Sequence, residues 1–132
     1  MPYRQMGAAF RLIVTAEFAL GSRACVLPML LDTGADNLVL PLYAMDLLGL
    51  TAAECEAESA NTLHGRQDAY RSPSLRIGFP DLWDDRAFET PVLFTPWLDN
   101  RAYGLLGREP TLDHLSCRFG HQSGYGFFLC FE

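Results

Sequence analysis

The chain has no lysine. Its ten basic residues are all arginines, placed singly from Arg4 to Arg118 against sixteen acidic residues, which leaves 132 residues with a formal charge of −6 and a pI near 4.9. Without a basic cluster there is nothing to neutralise a row of phosphates, which argues against a nucleic-acid partner. Long apolar runs are missing too. None reaches the length that spans a bilayer, and Met1-Pro2-Tyr3-Arg4-Gln5 opens no long apolar core with a small-residue cleavage site. The expectation is a cytoplasmic protein with no membrane partner. Cysteine is sparse: Cys25, Cys55, Cys117 and Cys130 are widely spaced, mostly in apolar segments, and read as small core residues, not bridges. His114, Cys117, His121 and Cys130 match no compact zinc-ligand spacing, so neither a metal nor a cofactor is expected. Repeats, linkers and low-complexity tracts are also absent from the text, and residues 1–132 read as one domain with enough apolar residues, 49%, for a single core.

What is present is strand. Phe10, Leu12, Val14, Ala16 and Phe18 alternate with Arg11, Thr15 and Glu17, the period of a half-buried strand. Gly21-Ser22-Arg23 reads as a hairpin turn, and the almost continuous apolar run 24–31 as a strand buried on both faces, with Pro28 at an edge or a bulge. Residues 37–40 suit a short buried strand; Pro41 can start a helical turn over 42–48 that Gly49 stops. Thr51-Ala52-Ala53-Glu54 has capping-box spacing, although the polar stretch to Asn61 gives a helix little to bury. Leu75, Ile77 and Phe79 alternate again, Pro73 interrupts, and 87–95 reads as one strand with Phe88, Val92 and Phe94 on one face. Residues 103–107 form a further apolar strand, 108–115 two helical turns, and 117–119 with 127–131 a terminal hairpin. The fold class is mainly β, with about eight to ten short strands, within the usual range for this size, and one or two short helices.

Chemistry concentrates in Leu30-Leu31-Asp32-Thr33-Gly34-Ala35-Asp36-Asn37-Leu38-Val39-Leu40-Pro41. A carboxylate at the end of an apolar strand, followed by a short hydroxyl and a glycine, sits well in a tight polar loop. Alone it can do little: activating water against a peptide bond takes two carboxylates close enough to share a proton, one then acting as base and one as acid. A phosphate-cradling role is unsuited to the loop, because Ala35-Asp36-Asn37 supplies a repelling charge where glycines or hydroxyls are needed.

A second stretch, Tyr103-Gly104-Leu105-Leu106-Gly107-Arg108-Glu109-Pro110-Thr111-Leu112, follows in the order that makes the pair informative. Together the two resemble the retropepsin-like, or retroviral-type, aspartic peptidases, and the surrounding strand pattern carries the resemblance over most of the chain. It implies a closed, acid-protease-like barrel of short strands, in which Asp32 is the catalytic carboxylate, Thr33 bonds across to a partner loop and Gly34 faces the substrate backbone. It further implies an Asp36–Arg108 pair in bidentate geometry, a flap over residues 63–70, and substrate contacts from Ala35, Asp36, Leu63, His64, Gly65, Leu105 and Leu106.

The sequence contains no second Asp-Thr-Gly or Asp-Ser-Gly. The required pair of carboxylates must therefore come from two copies, as a symmetric homodimer with a peptide or protein substrate extended across the cleft. The N-terminal residues, the Asp32 loop and the strands around Phe127 are the expected interface. Two departures stand against the family pattern: Glu109 replaces the usual Asp or Asn, and Gly65 is the lone glycine of the flap region. They motivate an alternative, a dimer of the same fold that binds peptides or regulates but hydrolyses little.

Overall fold

A computed structural model describes residues 4–6, 9–11, 13–32, 35–62, 65–82, 86–108, 115–120 and 126–131. Strands β1 (Arg4–Met6) and β2 (Ala9–Arg11) pair with each other, as do β12 (Leu115–Gly120) and β13 (Gly126–Phe131), the terminal hairpin read from the sequence. Between them lie β3 (Ile13–Leu20), β4 (Arg23–Leu31), β5 (Val39–Pro41), β6 (Glu56–Thr62), β7 (Gly65–Arg71), β8 (Leu75–Gly78), β9 (Phe88–Thr90), β10 (Leu93–Thr95) and β11 (Gly104–Leu106). These nine form one sheet in the order β6-β7-β10-β5-β11-β4-β3-β8-β9. The expected closed barrel is thus corrected: the sheet is open, with β6 and β9 at its edges. Helix α1 (Tyr43–Leu47) and two 3-10 turns, Ala52–Glu54 and Pro96–Leu98, complete the described elements.

The β3–β4 hairpin follows directly from the residues. Leu20 pairs with Arg23 across Gly21-Ser22, and Gly21 takes φ +60 while no non-glycine residue among those described has a positive φ, the pattern of a type II′ turn that matches strand twist. Val14, Ala16 and Phe18 turn into the core at 0% exposure. The run 24–31 is a correction: Cys25, Leu27 and Met29 are buried, but Val26 is 54% exposed opposite exposed Glu17, so only one face of that half of β4 is covered. Pro28 pairs with Thr15 just before the β4–β11 ladder begins at Met29. Its missing N–H therefore falls outside that ladder. Burial pushes the Cys25 thiol up to about 11, as expected of a core thiol.

Two further runs were read too simply. Residues 56–62 form a strand, not a helix, because they pair along their whole length with β7; the Thr51–Glu54 cap survives as a single 3-10 turn, with the Thr51 N–H donating to Glu54 Oε1 at 3.1 Å. Residues 87–95 break at Pro91, so that β9 pairs with β8 while β10 joins β5 and β7. In the N-terminal run β2 and β3 stand on either side of Leu12, which lies outside the described residues, as does most of the expected helix over 108–115.

The middle of the sheet is buried on both faces. On β5, β10 and β11, Leu40, Phe94 and Leu106 enter the main core, whereas their neighbours Val39, Leu93 and Leu105 enter a second cluster with Ala69 and Leu98. That is why these strands read as unbroken apolar runs, and it makes them the rigid bed of the Asp32 loop. Phe94→Ala should cost about 3–5 kcal/mol in urea unfolding at fixed protein concentration, whereas Val26→Ala should stay within about 0.5 kcal/mol; comparable losses would contradict this division of the core.

Candidate active site

Strand β11 lies between β4 and β5, parallel to the first and antiparallel to the second. The Asp32 loop, which joins β4 to β5, must therefore pass across the end of β11. Main-chain bonds fasten it there: the Asp32 N–H donates to the Leu106 carbonyl at 3.0 Å, the Ala35 N–H to the Asp32 carbonyl at 3.1 Å, and the Arg108 N–H to the Ala35 carbonyl at 2.8 Å. Gly107 lies so close to the loop that a Cβ added to it would stand 2.2 Å from the Asn37 oxygen and 2.6 Å from its nitrogen. No side chain fits, and the obstacle is backbone that cannot rotate away. Gly104 is confined in the same way by the Val39 oxygen, at 2.7 Å.

Arg108 Nη2 donates to Asp36 Oδ1, so the two charges paired from the sequence do meet. Both side chains remain largely exposed, at 59% and 71%, and an ion pair in that setting contributes about 0.2–1 kcal/mol. The loop is held mainly by the main-chain bonds and the glycine contact. Asp32 itself is half-buried at the end of β4, next to Leu31 of the main core and half-buried Ala35 of the second cluster.

The other expected residues divide. Leu105 is 9% exposed in the second cluster, on the same face as Ala35, Leu30, Trp97 and Tyr103. Leu106 is a correction: alternation along β11 turns it into the main core at 0% exposure, out of reach of a substrate. The flap region is the turn end of a longer hairpin, β6–β7, whose strands run Glu56–Thr62 and Gly65–Arg71. Arg71 grips Glu58 across it, Nε to Oε1 at 2.5 Å and Nη2 to Oε2 at 3.2 Å, and that hydrogen bond favours the charged guanidinium. Gly65 is exposed with φ +98, a backbone angle that suits glycine at the turn. Thr33, Gly34, Leu63, His64 and Glu109 lie outside the described residues. Among the described residues no three His, Cys, Asp or Glu side chains converge as a metal site, and no helix is long and apolar enough to cross a membrane.

With this geometry in place, the profile of the aspartyl protease family matches residues 14–109, from the first core strand to the second motif. The chain belongs to the aspartyl protease family. The chain is also similar in structure to the retroviral EIAV protease complexed with the inhibitor HBY-793, with a TM-score of 0.60 over 83% of this chain and 93% of that one. At 20% identity that likeness speaks for the fold, which is retropepsin-like. No curated protein sequence matches the chain.

Sequence reasoning passed over Gly107 as a mere strand end, although its place between an apolar pair and Arg108 was the available signal. Gly107→Ala should destabilise the fold by more than Arg108→Ala does. Urea unfolding of the two variants measures the difference, and an equal or smaller loss for Gly107→Ala would contradict the close backbone contact.

Proposed function

We propose that this single-domain chain, residues 1–132, is an aspartic endopeptidase whose reactive centre forms when two copies pair and bring Asp32 from each to a common axis. The observation that carries the reading is the position of Asp32: the lone Asp-Thr-Gly carboxylate of a family member, fixed by its own N–H to Leu106 at the mouth of a doubly buried sheet. One rigid carboxylate per chain is half of the chemistry.

In the paired state like-charge repulsion keeps a proton shared between the two carboxylates. The ionised member takes a proton from a water as that water attacks the peptide carbonyl, and the protonated member gives its own proton to the carbonyl oxygen; the proton taken from the water then passes to the leaving amine as the C–N bond breaks, while a hydroxyl of the tetrahedral diol returns a proton to the other carboxylate. Thr33 would lock each loop to its partner, and Gly34, Ala35 and Asp36 would meet an extended substrate through main-chain bonds. The face bearing Leu105, Val39 and Leu30 would receive apolar side chains, and the β6–β7 hairpin, with Leu63, His64 and Gly65 at its turn, would close over the peptide and exclude water. Asp36 and Arg108 would hold the loop in register with the second motif. No cofactor is required by this mechanism.

A second reading, a peptide-binding or regulatory dimer with little hydrolysis, draws on the hairpin itself: it carries one glycine, Gly65, and an Arg71–Glu58 pair stiffens its base. Asp32→Asn separates the two. It should abolish cleavage of an unfolded peptide library while sedimentation still reports a folded dimer. Cleavage that survives the substitution would overturn the catalytic role. Tight peptide binding by a parent protein that cuts nothing at any pH would favour the second reading.

A further inference from the structure

The surface between α1, the Leu50–Ala52 segment, Tyr70 of β7 and Asp99 holds a shallow, open hollow of about 450 Å³ that Asp32 does not line, a volume in the range of ligand-binding clefts, about 300–1,000 Å³. Its buried lining is apolar, with Met45 and Leu50 at 6% and 4% exposure and Leu42 half-buried. Its exposed lining is acidic and aromatic: Asp46 and Asp99 carry the charge, Tyr43 and half-buried Tyr70 the rings, and no basic residue lines it. The Tyr43 N–H donates to Asp99 Oδ1 at 3.3 Å, which ties the start of α1 to the end of the 3-10 turn and fixes the distance between the walls. Asp46 has no ion-pair partner among the described residues. Three large apolar side chains are exposed among the described residues, and two of them, Tyr43 and Leu47, stand one turn apart on this helix.

We infer that this groove is a second polypeptide-binding site, which takes an arginine or lysine side chain flanked by an apolar residue. Each part of such a segment has a counterpart. The alkyl stem lies along Leu42 and Met45, and the cationic head meets the Asp46 and Asp99 carboxylates beside the faces of Tyr43 and Tyr70. The neighbouring apolar side chain covers Leu47. A free cation matches the charge but covers none of the exposed apolar surface, and that is why the occupant is a polypeptide. The chain's net charge of −6 favours the encounter with such a segment at low salt. Tyr70 belongs to β7, so the bound segment rests against the base of the β6–β7 hairpin. Binding here does not require hydrolysis at Asp32.

The test uses the full chain with Asp32→Asn, so that no peptide is cut and the result stands apart from the catalytic reading. The probe is a fluorescein-labelled pentapeptide with a Leu-Arg-Leu centre, compared with its citrulline isostere and with agmatine. Anisotropy should show the arginine peptide binding on the order of tenfold more tightly than the citrulline peptide, and agmatine binding more weakly than either. Tyr43 and Tyr70 ring signals should shift on binding. Adding Asp46→Asn and Asp99→Asn, which keep the side-chain oxygen for the Tyr43 N–H, should weaken the arginine peptide about tenfold. Equal binding of the arginine and citrulline peptides, agmatine as tight as the peptide, or shifts confined to residues around Asp32 would overturn the site. The citrulline comparison needs no groove variant, so a misfolded double substitution leaves the inference open to refutation.

Discussion

Everything in this molecule depends on one close approach of backbone to backbone. Residues 104–108 run under the Asp32 loop with no side chain at Gly107, and the space a Cβ would need is already taken by Asn37. The bonds from Asp32 to Leu106 and from Arg108 to Ala35 then clamp the loop on both sides of that contact. A carboxylate meant to share a proton must be placed to within a fraction of an ångström. Here the placement comes from main-chain geometry and a doubly buried sheet, which thermal motion disturbs little, and the exposed Asp36–Arg108 pair adds only a small increment.

In the proposed reading the chain supplies half of a site. A sheet of nine short strands with one carboxylate at its mouth can be rigid, but it cannot produce the split titration that makes one acid and one base out of two identical groups. In that reading, doubling by symmetry would supply the second carboxylate and present the same loop twice. The open sheet is consistent with this economy, since its edge strand β6 belongs to the hairpin that would cover a substrate and β9 ends far along the order from it.

Much of this was legible in the residues, and the failures have physical causes. Period-two alternation located β3 and β8, the glycine turn located the β3–β4 hairpin, and the two motifs brought Asp36 and Arg108 together across the chain. Sequence could not separate a strand buried on two faces from one buried on one, so Val26 was misplaced; only the absence of a covering layer decides it. Residues 87–95 read as one strand, and Pro91 is in fact the point at which the chain leaves β8 for β5. The polar strand β6 was hidden because its pairing with β7, and not its own composition, stabilises it. Leu105 and Leu106 carry the same chemistry, and only the pleat of β11 sends one into the second cluster and the other into the main core.

The central claim is tested most directly by the separation of the two Asp32 carboxylates in an experimentally determined structure of the assembled protein. The account predicts that their nearest oxygens lie at about 2.5–3.0 Å, the distance of a shared proton. Two Asp32 side chains well beyond hydrogen-bonding reach, or a protein that stays a single chain at high concentration, would contradict it.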